Sequence, residues 1–151
     1  MLRFEGDRDF ALPAAELFAK LTDARFLVQC IPDVETVYSQ EADKASLVLR
    51  PGFAFVRGIL EVAMQIADQV APDSARVTLD SRGIGSTANV EATLAFTERD
   101  GVTRVHWAAE IKSLGGLLKM VPQGLIRGAA EKVINDAWAR VVEKVKSGEG
   151  A

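Results

Sequence analysis

The sequence predicts an α+β domain in which a curved antiparallel sheet of about seven strands wraps round one long C-terminal helix. Three observations predict it. Runs in which apolar and polar residues alternate follow one another with no helical segment between them, the pattern of an antiparallel meander. A 3.6-residue apolar stripe is confined to the C-terminal part of the chain. Two short helical patterns fall after the first strand and nowhere else before that stripe.

In chain order, Leu2, Phe4, Gly6, Arg8 and Phe10 alternate with Arg3, Glu5, Asp7 and Asp9, which predicts a half-buried strand. Pro13 ends it and seats the first turn of a helix over Ala14–Leu21, with Leu17, Phe18 and Leu21 on one side. Asp23 is an N-cap candidate for a second short helix through Cys30, stopped by Pro32. Strands are predicted over Glu35–Gln40 and Ser46–Arg50, then over Gly58–Ala71, where Leu60, Val62, Met64 and Ile66 share a face. Pro72-Asp73 marks a turn, and Arg76–Ser81 the next strand. Gly83-Ile84-Gly85 reads as a strand bend. Ala88, Val90, Ala92, Leu94 and Phe96 form an apolar row, Arg99-Asp100-Gly101 a hairpin turn, and Val105, Trp107, Ala109 and Ile111 the facing row. From Ile126 the stripe runs through Ala130, Val133, Ile134, Ala137, Trp138, Val141 and Val145. One domain is expected over 1–146, with 147–151 a frayed tail.

Of the 151 residues 48% are apolar and 26% charged, enough for one sizeable core. The net charge of −3, with both signs interspersed, gives no basic footprint for nucleic acid. Cys30 is the only cysteine and His106 the only histidine, so no intrachain disulfide forms and no metal constellation of the usual spacing exists. The N-terminus lacks a signal-peptide layout, and no apolar run approaches the ~20 residues of a bilayer span. The expected location is the cytoplasm, with membrane contact peripheral at most, on the inner face.

Little of the sequence carries chemistry. No nucleophile elbow, phosphate loop or dinucleotide fingerprint occurs, and no catalytic residue and no cofactor is assigned. His106 points away from the apolar face beside Glu110, either as an acid–base pair or as a solvated pair on the outer surface. Cys30, in an apolar run, reads as a small buried hydrophobe. Asp68 continues the row of Leu60, Val62, Met64 and Ile66, Arg8 interrupts the row of Phe4 and Phe10, and Arg127 falls inside the helical stripe. Two readings stand for these three. They fix the polar end of a ligand, or Asp68 and Arg8 pair with each other or reach water while Arg127 snorkels. Leu117, Leu118, Met120 and Val121 lie in a stretch with Gly115, Gly116 and Pro122. They form a gate over a pocket mouth, or a first helical turn packed on the sheet with a kink at Pro122.

The order of elements resembles the helix-grip fold of START-like and birch-pollen-allergen-like domains. Three stretches narrow the resemblance to the carbon monoxide dehydrogenase G-subunit family. They are Leu12–Phe18 running on to Cys30-Ile31-Pro32, Gly83-Ile84-Gly85-Ser86 before an alternating strand, and Leu125-Ile126-Arg127-Gly128-Ala129-Ala130-Glu131-Lys132, similar to that family's Leu-Ile-x-Gly-Ala-Ala-x-Lys. Asp33 stands where the family usually has glycine, and Val34 where a small residue or cysteine is common. The chain ends soon after its helix, without the extension that some members carry and that is associated with membrane attachment. The resemblance implies an accessory protein of a molybdenum-containing dehydrogenase that attaches the enzyme to the membrane and handles a lipophilic carrier such as a quinone.

Three functions compete on these grounds. A binding module holds a quinone- or lipid-like guest between sheet and helix, in a pocket lined by Leu60, Val62, Met64, Phe96, Trp107, Ile126 and Ala130, with Asp68 and Arg127 as polar contacts. An enzyme of the cyclase or hydrolase kind needs ionisable groups converging on that pocket. A protein–protein adaptor has its interior filled by its own side chains.

Overall fold

A computed structural model describes residues 2–52 and 58–148, the side chains of 147 and 148 excepted. Seven strands form one antiparallel sheet in the spatial order β1-β7-β6-β5-β4-β3-β2. The strands are β1 (Leu2–Phe10), β2 (Val34–Gln40), β3 (Lys44–Leu49), β4 (Leu60–Val70), β5 (Ser74–Gly83), β6 (Ser86–Arg99) and β7 (Val102–Gly116). Helices α1 (Ala14–Leu21) and α2 (Ala24–Leu27) follow β1, and α3 (Gln123–Gly148) closes the fold after a 3-10 turn at Leu117–Met120. Residues 149–151 of the expected tail lie outside the described residues.

Turn chemistry sets the register. Asp100 and Gly101 both have positive φ, 52° and 79°, which a tight two-residue hairpin requires, and they bring Arg99 opposite Val102. Ile84 and Gly85 do the same for Gly83 and Ser86, with φ of 55° and 67°. The segment expected to bend a strand is therefore a hairpin turn, and a β-branched residue occupies its left-handed position. Bulges at Ala67/Val70 and Asn89/Val90 bend the long strands, which lets the sheet curl.

The helices are short where backbone bonding turns inward. Glu98 Oε1 on β6 accepts the Ala14 N–H at 2.7 Å, capping α1 from across the sheet. Asp23 caps α2 by accepting the Arg25 N–H at 2.9 Å. Helix α2 stops at Leu27 instead of running to Cys30, because the Gln29 and Cys30 N–H groups bond to Phe26 and Leu27, three residues back. Pro122 does not kink α3 but precedes it, its carbonyl accepting from Leu125 and Ile126.

The interior divides along the strands. At the end covered by α1 and α2 the inward rows are buried: Leu47, Met64, Ile66, Ala75, Val77, Leu94, Phe96 and Val105. Phe18 of α1 meets Phe96 edge-on at 5.3 Å. Further along the same rows Leu49, Leu60, Leu79, Val90, Ala92 and Ile111 are only half-buried. Helix α3 repeats the division. Ile126, Val141 and Val145 are buried, while Ala130, Ile134 and Trp138 between them are half-buried. Apolar side chains that face inward yet remain open to solvent border a space the protein does not fill.

Candidate functional site: an apolar cavity between sheet and helix

That space is a cavity of about 400 Å³, open to solvent. It exceeds the ~30 Å³ share of one water more than tenfold and falls in the range of small-molecule sites. The sheet supplies Phe4, Leu49, Leu60, Val62, Leu79, Val90, Ala92, Trp107, Ala109, Ile111 and Leu114. Helix α3 supplies Ile126, Ala129, Ala130, Val133, Ile134, Ala137 and Trp138, and the segment after α2 supplies Ile31, Pro32 and Asp33. Small residues leave it room: Ala88 and Ala92 of β6 and Ala129, Ala130 and Ala137 of α3 all belong to its wall.

Asp33, Ser81 and Glu110 are the polar or charged residues in the wall, and the Glu110 carboxylate itself turns to the outer face with Arg3, its register partner on β1. Asp33 has φ of 64°, a left-handed conformation that favours glycine and that aspartate tolerates better than most residues. Glu110 is held by Arg3 and Lys112, at 3.7 and 3.2 Å. Both tryptophans of the chain line the cavity, their rings 6.1 Å apart. Trp107 fits because Gly6 lies opposite it on β1, where an added Cβ would come within 3.1 Å of the indole. Its Nε1–H, buried beneath Gly6, has no hydrogen-bond partner among the described residues.

Of the residues singled out from sequence, Leu60, Val62, Trp107, Ile126 and Ala130 line this cavity, as does Leu118 of the gate. Met64 and Phe96 do not. They sit on the same rows but further along, under α1 and α2, where the interior is solid. Asp68 is also outside. The bulge between Ala67 and Val70 breaks the alternation there, Asp68 takes φ of 52°, and its carboxylate meets Arg76 at 3.3 Å on the surface. Arg8 does not pair with it, and its guanidinium instead lies 6.0 Å over the Trp138 ring. Arg127 is exposed and lies 5.2 Å over Phe4, because one step of about 100° round the helix from buried Ile126 carries it off the inward face. Leu117, Leu118 and Val121 border a recess of about 40 Å³ that shares Leu60 and Leu118 with the main cavity. Met120 is 81% exposed and touches neither space.

His106 faces outward and pairs across strands instead of along its own. Its Nδ1 lies 2.9 Å from Asp7 and its Nε2 3.5 Å from Glu5, both on β1. Burial pushes the Cys30 thiol up to about 11, against the smaller opposing pull of Lys144 and Arg140. Among the described residues no group of three or more His, Cys, Asp or Glu could hold a metal ion. None of the helices there is long and apolar enough to cross a membrane.

The profile of the carbon monoxide dehydrogenase G-subunit family (CoxG) matches residues 6–146. No curated protein matches the chain. Among solved structures, a conserved protein from Geobacillus kaustophilus is 21% identical with a TM-score of 0.84, over 97% of this chain and 96% of that one. A START superfamily protein from Mycobacterium smegmatis is 8% identical with a TM-score of 0.68, over 96% of this chain and 97% of the other. A protein from Thermus thermophilus is 13% identical with a TM-score of 0.67, over 98% and 99%. These likenesses establish a START-like fold.

Proposed function

The chain belongs to the carbon monoxide dehydrogenase G-subunit family, and on that premise we propose that it is an accessory protein that holds an apolar, quinone- or lipid-like molecule between its sheet and α3. In this reading it serves a molybdenum-containing dehydrogenase from the cytoplasmic side, touching the membrane only peripherally. The observation that carries the proposal is the hollow under the middle of α3, about 400 Å³ walled almost wholly by hydrocarbon. Such a wall favours a guest through the hydrophobic effect and offers reacting groups little. Peripheral contact is supported by Leu117, Met120 and Leu125, which stand 58%, 81% and 52% exposed around the cavity's Leu118. Lys119 and Arg127 accompany them, and no carboxylate occurs between Glu110 and Glu131.

An enzymatic reading has less support, because Asp68, Arg8 and Arg127 do not converge on the cavity. The test is optical. Both tryptophans border the hollow, so titration with a short-chain quinone quenches most of the tryptophan emission and saturates. Unsaturable or absent quenching, with no lipid released from the purified protein on denaturation, counts against the proposal.

A further inference from the structure

Strand β1 is an edge of the sheet, and α3 lies along it. No backbone ladder joins a helix to a strand, so side chains alone close this seam. At its far end the Phe10 ring of β1 packs 6.4 Å from the Trp138 ring of α3, and two cation contacts cross it reciprocally. Arg127 of α3 reaches across to the Phe4 ring of β1, while Arg8 of β1 reaches across to the Trp138 ring of α3. Both rings line the cavity. Neither arginine has a carboxylate partner among the described residues.

The spacing fits a helix running beside the strand in the same direction. Phe4 to Arg8 is about 13 Å of extended chain, and Arg127 to Trp138 about 16 Å of helix. Between the two contacts the inward row of β1 holds only Gly6, so the middle of the seam has no side chain from the strand. Behind Gly6 lies the Trp107 indole, part of the cavity wall. Helix α3 is anchored by other groups: buried Ile126, Val141 and Val145, and Arg140 Nη1, which donates to the Ile31 carbonyl at 3.2 Å.

We propose that the β1–α3 seam is the portal of the cavity, latched by Arg127 on Phe4 and Arg8 on Trp138. The inference rests on the reading that the cavity takes an apolar guest. A cation resting on a ring at a partly exposed site holds weakly and releases without leaving an unpaired carboxylate behind. The seam opens at Gly6 when the two guanidinium groups swing into water, with the Phe10–Trp138 contact as its hinge and α3 still anchored at both ends. Neither arginine lines the cavity, so the latches govern rates more than affinity.

Stopped-flow tryptophan quenching with decylubiquinone tests this on the full chain. The Arg8→Gln/Arg127→Gln variant speeds both association and dissociation, about 2–5-fold for each latch, with the equilibrium constant nearly unchanged. Arg8→Lys/Arg127→Lys, which keeps the cations, lies between the two. Arg82→Gln, on β5, leaves the rates alone. Unchanged rates in the double glutamine variant overturn the portal while saturable quenching of the wild type leaves the cargo reading standing. Absence of saturable quenching in the wild type overturns both.

Discussion

Replacing Ala130 by leucine decides whether the space under α3 is a real hollow. Ala130 borders the cavity at the middle of the helix. Leucine adds three carbons there, and alanine to leucine changes helix propensity little. If they enter unfilled apolar space at about 0.8 kcal/mol each, stability rises by about 2 kcal/mol. For a chain of this length that is a gain of about 4–8 °C in Tm. The control is the same change at Ala75 on β5, which is 4% exposed and packed in the solid half. Over-packing there costs about 1–3 kcal/mol. Urea denaturation of both variants reads opposite signs, and Ala130→Leu also weakens quinone quenching. If Ala130→Leu destabilises as much as Ala75→Leu, the interior is full and the reasoning fails.

Two further outcomes follow from single residues. The folded-state value of the Cys30 thiol is raised from its ordinary 9.0 to about 11, so the native protein binds that proton more tightly than the unfolded chain. Stability therefore falls as pH rises through that window, and Cys30→Ala flattens the fall in denaturation midpoint measured between those limits. Gly116 has φ of 63°, and an added Cβ would strike the Gly85 carbonyl oxygen, which is backbone and cannot yield. Gly116→Ala thus costs about 1–3 kcal/mol in denaturation and, by displacing the turn that bears Leu118, weakens quinone binding measured by fluorescence.

The rows of the sheet were legible because alternation is a local property. Leu60, Val62, Met64 and Ile66 do share a face, as do Val90, Ala92, Leu94 and Phe96. Where along a row the solid interior ends and the hollow begins was not legible. That boundary depends on α1 and α2 covering one end of strands far away in sequence, so Met64 and Phe96 look like Val62 and Val90. A signal was nonetheless present: the alanines at Ala88, Ala92, Ala129, Ala130 and Ala137 stand on β6 and α3, and small residues in a wall leave space. Asp68 escaped for a different reason, since one bulge removes the periodicity on which its inward position was inferred. His106 was placed on the correct face, but its partners come from β1, a pairing that only the register of β1 against β7 fixes.

The unequal filling of the interior also distributes cohesion unequally. Leu17, Leu47 and Val105, at 0–1% exposure, belong to a block that α1 ties to β6 and β7 and α2 ties to β3 and β4. The middle of α3 has far less to lose by moving, because much of its inner surface already faces nothing solid. Such a molecule loosens from one end while the other end keeps its order. In the proposed reading this looser region is the one that parts to admit a guest, and the sheet need not come apart for cargo to change hands.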